Sequence, residues 1–163
     1  MISMVIIFMS KWGNTEFKSL YKLQKNLNEF IEVGRLDVIE DICRELAIRL
    51  IVKAQYRTPV DTSALRRAWT TNTEEEAVAG VDVDVVSYVN SLPITEKGND
   101  YIIEVTNPMY YAKYVEKGHR TRDHRNWVEG RHFLRISRNE VQEESPAIVA
   151  KKLNEELKRV FLI

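Results

Sequence analysis

Residues 37–69 read DVIEDICRELAIRLIVKAQYRTPVDTSALRRAW, and this stretch decides the fold class. Val38, Ile39, Ile42, Cys43, Leu46, Ala47, Leu50, Ile51 and Ala54 recur at spacings that follow the helical period. Such spacing lays a wide apolar stripe along one side of a helix. It predicts one long helix over about 37–57 that forms a main wall of the core. Glu40 with Arg44, and Glu45 with Arg49, stand four apart on the wet face and add slight support. Pro59 ends the helix, because proline lacks an N–H and restricts Thr58 before it. Thr58, Asp61 and Thr62 can each cap a backbone N–H of a short helical turn running through Leu65. The chain stops, restarts and reverses here.

Upstream, Phe17, Leu20, Leu23, Leu27, Phe30 and Ile31 predict a helix over 15–32, closed at Gly34. Downstream the period changes. AWTTNT (68–73) is aromatic and β-branched. AVAGVDVDVVSYV (77–89) sets Val81, Val83 and Val85 on one side and Asp82 and Asp84 on the other. YIIEVTN (101–107) follows after the loop EKGND. Three strands with short connections predict an antiparallel meander. Pro108 breaks the sheet, and MYYAKYVEKG (109–118) reads as one or two helical turns closed by Gly118. Phe133 lies in the start of another helix. Ser145 and Pro146 read as the N-cap and first position of a last helix, about 146–161. Ile148, Val149, Leu153, Leu157, Val160 and Phe161 share one face of it. The class is therefore α+β: a small antiparallel sheet of three or more strands, with a long amphipathic helix and C-terminal helices packed on it.

The totals bound the function. A chain of 163 residues, 44% apolar, fits a single domain over 1–163. Residues 1–14 are expected to be disordered or upstream of a true start at Met9, or to add a short strand over 1–8; 119–130 form a protruding loop. Twenty-four basic side chains balance twenty-four acidic ones, which speaks against a dedicated nucleic-acid coat. A single cysteine, Cys43, excludes an internal disulfide and any multi-cysteine zinc site, and its apolar neighbours predict a buried thiol. No apolar run reaches the roughly 18 residues that cross a bilayer. The start carries no basic n-region, so a reducing, intracellular context is expected. Neutrality hides segregation: residues 74–104 hold eight acids against one base, and residues 110–138 hold eight bases against three acids. These are either two solvated faces, a head-to-tail contact between a basic loop and an acidic sheet edge, or a basic patch for DNA phosphate.

Residues 110–133 hold all three histidines together with Arg120, Arg122, Arg125, Arg131 and Trp127. A metal reading would use His119, Asp123, His124 and His132 with Glu116 nearby, but the surrounding arginines oppose a divalent cation. No HExxH, CxxC or GxSxG motif occurs, the glycines are isolated, and no cofactor is implied. Tyr, Trp and Arg are instead the types that anchor protein interfaces. Phe133 and one of Tyr111 and Tyr114 are expected in the core, whereas Trp127 and the arginines are interface candidates.

Two stretches, TPVDTSALRRAW and NPMYYAKYVEKGHRTRDHRNWVEGRHFLR, together resemble the small neck or minor tail-component family (head–tail connectors) of long-tailed bacteriophages and prophages. The first block matches at Thr58, Pro59, Val60, Asp61, Thr62, Leu65 and Arg66. The second matches at Asn107, Tyr111, Ala112, Tyr114, Val115, Glu116, Gly118 and His119, and the third at Val128, Gly130, Arg131, Phe133, Leu134 and Arg135. One departure is Ser63, where the family usually has glycine. The resemblance implies a structural, non-enzymatic virion component without a cofactor. It would act at the head–tail junction or upper tail as a ring around the DNA channel, after assembling in the host bacterial cytoplasm. Its partners would be copies of itself, head-closure proteins and tail-terminator or tail proteins, with DNA only passing through and no membrane. The loop after Gly118 would be a docking arm, with His119 and Arg120 tethering its base and Arg122, Arg125, Trp127 and Arg131 meeting the partner. The alternative of a different class is a small DNA-binding or metal-dependent nuclease domain built on the same loop.

Overall fold

The computed structural model describes residues 2–8, 35–60, 63–98 and 100–161. The helix expected over 15–32 and the caps expected of Asp61 and Thr62 lie outside them. Strand β1 (Ile2–Phe8) precedes helix α1 (Arg35–Arg57), α2 (Ala64–Arg67), α3 (Glu74–Ala79) and α4 (Val85–Ser91). Strands β2 (Ile94–Lys97) and β3 (Asp100–Asn107) follow, then α5 (Ala112–Lys117), β4 (Gly118–Arg120), β5 (Trp127–Glu129) and α6 (Phe133–Phe161). One antiparallel sheet runs β1-β3-β2, and β4 and β5 make a separate two-stranded ribbon. The class is α+β with long helices, as the periodicities imply.

Helix α1 is the centre of the core. Ile42, Cys43, Leu46, Ala47, Leu50, Ile51 and Ala54 are all buried along its stripe. It packs against α6, β3 and α4. Strand β3 turns Tyr101, Ile103, Val105 and Asn107 inward and leaves Glu104 in water, the alternation of a sheet covered on one face. Burial pushes the Cys43 thiol up to about 11, so it is a small packing residue and a poor nucleophile. Both expected ion pairs of α1 form. Arg44 also reaches the end of α4, where its guanidinium donates to the carbonyls of Val89 (2.7 Å) and Leu92 (3.3 Å). A cation there satisfies carbonyls that the helix leaves open. Lys53 bridges Glu140 and Glu144 on α6 at 3.0 and 2.8 Å. Its ammonium thereby holds the Glu140 carboxyl below the usual carboxylate range.

Four expectations are corrected. Residues 77–89 are not a strand. Thr73 opens α3 with a reciprocal cap, in which its hydroxyl accepts from Glu76 N–H and Glu76 accepts from Thr73 N–H. Gly80 closes α3 at φ 88°, and Asp84 then caps α4 by accepting from Ser87 N–H at 3.0 Å. Fixed caps at both ends outweigh a valine alternation that has no partner strand among the described residues. Residues 68–73 are not a strand either, because Trp69 turns into the core straight after α2. The acidic segment consequently spreads over α3, the turn and cap before α4, and the β2–β3 hairpin, so only Glu96, on edge strand β2, belongs to a sheet edge.

The third correction concerns Ser145 and Pro146, which do not start a helix: α6 runs through them. Proline removes the N–H that would bond to the carbonyl four residues back, that of Gln142. The Ser145 hydroxyl donates to that same carbonyl at 2.9 Å and replaces the missing bond.

Thr58 does not cap α2. Its hydroxyl donates back to Ala54 O at 2.6 Å and accepts the Trp69 indole N–H at 3.0 Å. The cap position of α2 is Ser63, which is left-handed at φ 64° and makes no side-chain cap bond. That conformation costs a non-glycine residue about 1–2 kcal/mol, whereas glycine adopts it freely. Ser63→Gly is therefore expected to raise stability by about 0.5 kcal/mol once the greater freedom of glycine in the unfolded chain is subtracted. A denaturant midpoint unchanged or lowered in the variant would contradict this.

Candidate functional site

The basic, aromatic stretch is an ordered β-ribbon arm. Gly118 pairs with Glu129, His119 with Val128 and Arg120 with Trp127. At the tip, Thr121 N–H donates to Asn126 O at 2.9 Å and His124 N–H donates to Thr121 O at 2.8 Å. Asp123 accepts from the Thr121 hydroxyl and from Arg125 N–H, so its carboxyl is held below the usual range by hydrogen bonds. The tip is thus closed by its own short polar side chains.

The base of the arm is bolted to the body. Glu116, in α5, is buried, and its two carboxyl oxygens accept from Leu134 N–H and Arg135 N–H at 3.0 Å each. Those are orphan donors of the first turn of α6, so a side chain from another element caps this helix. Arg131 N–H donates to Val115 O at 2.8 Å and His132 N–H donates to Glu116 O at 3.1 Å. The two glycines allow this crossing. A Cβ on Gly118 would lie 2.5 Å from Val128 O and 2.9 Å from Gly130 N, and one on Gly130 would strike Glu116 O. Neither contact tolerates a side chain.

The outward side chains are of the aromatic and arginine types. Trp127 is 54% exposed with Val128 beside it. Arg120, Arg122, Arg125 and Arg131 are exposed, and no ion pair engages any of them among the described residues. His119 is half-buried in β4, edge-on to Tyr114, with Nδ1 enclosed and unpartnered. Within the tether expected of His119 and Arg120, only His119 lies against the body. His124 is exposed at the tip, and His132 is the left-handed residue before α6. Among the described residues no group of three or more His, Cys, Asp or Glu could hold a metal ion. Nor is any helix among them long and apolar enough to cross a membrane.

Residues of the separate sequence motifs meet in space. Asn107, fully buried, donates to Leu65 O at 3.0 Å and accepts from Met109 N–H at 3.2 Å. It joins Leu65, in α2, to the residues just before α5. Leu65 is buried, while Pro59 and Arg66 are exposed. Tyr111 is half-buried and stacks edge-on to exposed Tyr110, and Tyr114 is 46% exposed with Lys113 over its ring. Phe133 is wholly buried against Trp69. Glu116 is the residue whose role the sequence did not disclose, because its partners are amides 18 and 19 positions away.

A family model described as "Bacteriophage HK97-gp10, putative tail-component" matches residues 21–118, more than half of the chain. The chain belongs to this family. It is therefore a bacteriophage tail-component protein with a structural, virion-associated role. The match takes in the Thr58–Arg66 turn and the Asn107–Gly118 segment that Asn107 holds together, and it ends where the arm begins. No curated protein and no solved structure matches the chain.

Proposed function

We propose that this tail-component protein acts at the head–tail junction or upper tail of a phage or prophage virion. It forms a ring around the DNA channel there and docks its neighbours through the β4–β5 arm. The observation that carries this is the arm: a ribbon fixed at its base by Glu116 and a two-glycine crossing, presenting Trp127 and unpaired arginines to solvent. A preorganised aromatic and arginine surface loses little entropy on binding, so more of its contact energy becomes affinity. Its partners are copies of itself, head-closure proteins and tail-terminator or tail proteins. DNA only passes through the channel. The protein assembles in the host bacterial cytoplasm and ends in the virion, and it performs no catalysis.

The test is Trp127→Ala combined with Arg125→Ala in a phage that depends on the protein. Both side chains are exposed, so folding should persist. Loss of an anchor of this type weakens an interface about thirtyfold. Tailed, infectious particles should fall accordingly, while heads and free tails accumulate. Wild-type attachment by the double variant would remove the docking arm from the account.

A further inference from the structure

The two family motifs that Asn107 joins leave an open groove of about 770 Å³ between them. Pro59, Val60 and Leu65 line it together with Met109, Tyr111 and Val115. Glu74 and Val78, one turn apart on α3, line it as well. Val60 and Val78 are more than half exposed, so apolar surface is left in water there. No arm residue lines the groove, although the arm starts only three residues beyond Val115.

From this we infer that the groove receives the arm of a second copy, with Trp127 seated on its apolar floor. The inference rests on the docking-arm reading above and names its receptor. Shape and polarity both fit: an indole is a large, rigid, apolar body of the kind that fills such a cleft. The charges are complementary: the groove's carboxylate is Glu74, which accepts only the Tyr110 N–H at 3.4 Å, and the arm carries arginines without ion pairs among the described residues. Glu74 stands at the groove with exposed Glu75 beside it, and Glu75 has no side-chain partner among the described residues. Arg120 faces Trp127 across the ribbon, and Arg125 lies two residues before it. Insertion within one chain is not what the structure shows, because the Trp127 ring lies against Gly118 at the arm's own base. Arm and groove are two different patches, so the contact is head-to-tail and propagates from copy to copy. Arg67 also lines the groove, and exposed Arg66 stands beside it in α2. The Arg67 Nε–H is committed to Ala77 O at 3.0 Å, which keeps one of these charges folded down on the body.

Charge exchange tests the pairing in assembling phage. Arg125→Glu and Glu75→Arg should each lower incorporation of the protein into particles about tenfold, and the double variant should recover most of that loss. As a second measurement, Asn126→Cys protein, which keeps Trp127, and Val78→Cys protein are co-expressed and the particles oxidised. A disulfide between the two different copies is expected; buried Cys43 does not compete. Suppose Arg125→Glu is defective, Glu75→Arg is silent and no cross-link forms. The arm then docks on another protein, and the groove inference fails while the neck reading stands. If neither charge variant is defective, the docking arm itself fails. If both are defective without rescue, the cross-link decides, and its absence overturns the inference. Cross-linking of Val78→Cys to a Leu23→Cys placed in the same chain would give the groove to the chain's own N-terminal segment and overturn it as well.

Discussion

Trp69→Ala is expected to destabilise the protein by about 4 kcal/mol, the largest effect of any single truncation proposed for it. The side chain is wholly buried and stands edge-on to Phe133, with centroids 6.0 Å apart. Its indole N–H donates to Thr58 Oγ1 at 3.0 Å, and that hydroxyl is itself bonded to Ala54 O. Trp69 therefore fixes the last turn of α1, the α2 turn and the first residue of α6 to one another. Alanine would leave a cavity at the point where all three meet. Typical domains hold only about 5–15 kcal/mol in total, so the variant should melt about 10 °C lower or accumulate as aggregate. Trp69→Phe separates the two contributions. It keeps much of the packing and loses the hydrogen bond, so a cost of about 1.5–2 kcal/mol is expected. Chemical denaturation of both variants gives the comparison. A Trp69→Ala midpoint within error of the wild type would mean that α1 and α6 are held mainly by other contacts.

The contrast between what the residues announce and what they conceal follows physical lines. Helix α1 was legible because its stripe from Ile42 to Ala54 records burial against two layers over several successive turns. Helix α5 and its stop at Gly118 were legible for a local reason, since a left-handed stop favours glycine. Residues 77–89 misled because alternation over a few valines is a weak statement, while the local signal was in plain view. Thr73 with Glu76 is a threonine–glutamate capping box, Gly80 is a helix stop, and Asp84 is a cap. Pro146 misled in the opposite sense. Proline usually marks a boundary, but Ser145 repairs the carbonyl it strands, and that repair depends on a rotamer. At the site, composition pointed to an arm and to its exposed Trp127. The mounting of that arm could not be read from the chain. It depends on two glycines passing in contact and on a carboxyl reaching across to another helix. Such long-range pairings leave no periodic trace.

Glu116→Ala is the second large effect, and it discriminates between a merely buried residue and the clamp that orients the arm. The carboxyl group supplies both acceptors for the first turn of α6, at Leu134 and Arg135. Bonds to a charged acceptor contribute about 1.5–3 kcal/mol each, and a helix N-terminus adds favourable electrostatics. The two bonds share one side chain, so their loss is less than additive, and a cost of about 3 kcal/mol is expected. The substitution Glu116→Gln keeps one acceptor oxygen and should recover roughly half of that loss. Glu116→Asp should not recover it, because its side chain is one methylene too short to reach both amides. Stability alone would not prove the clamp. The decisive readout is amide exchange: Leu134 and Arg135 should lose protection in Glu116→Ala at denaturant levels that leave the α1 amides protected. The arm should also become sensitive to cleavage at Arg122 and Arg125 under light trypsin. Docking as proposed requires Trp127 at a fixed angle, and on that proposal particle incorporation should drop in Glu116→Ala even at temperatures where the body stays folded. Uniform loss of protection throughout the chain, with the arm still resistant until global unfolding, would make Glu116 an ordinary core residue. The arm's orientation would then have to come from the Gly118–Gly130 crossing alone.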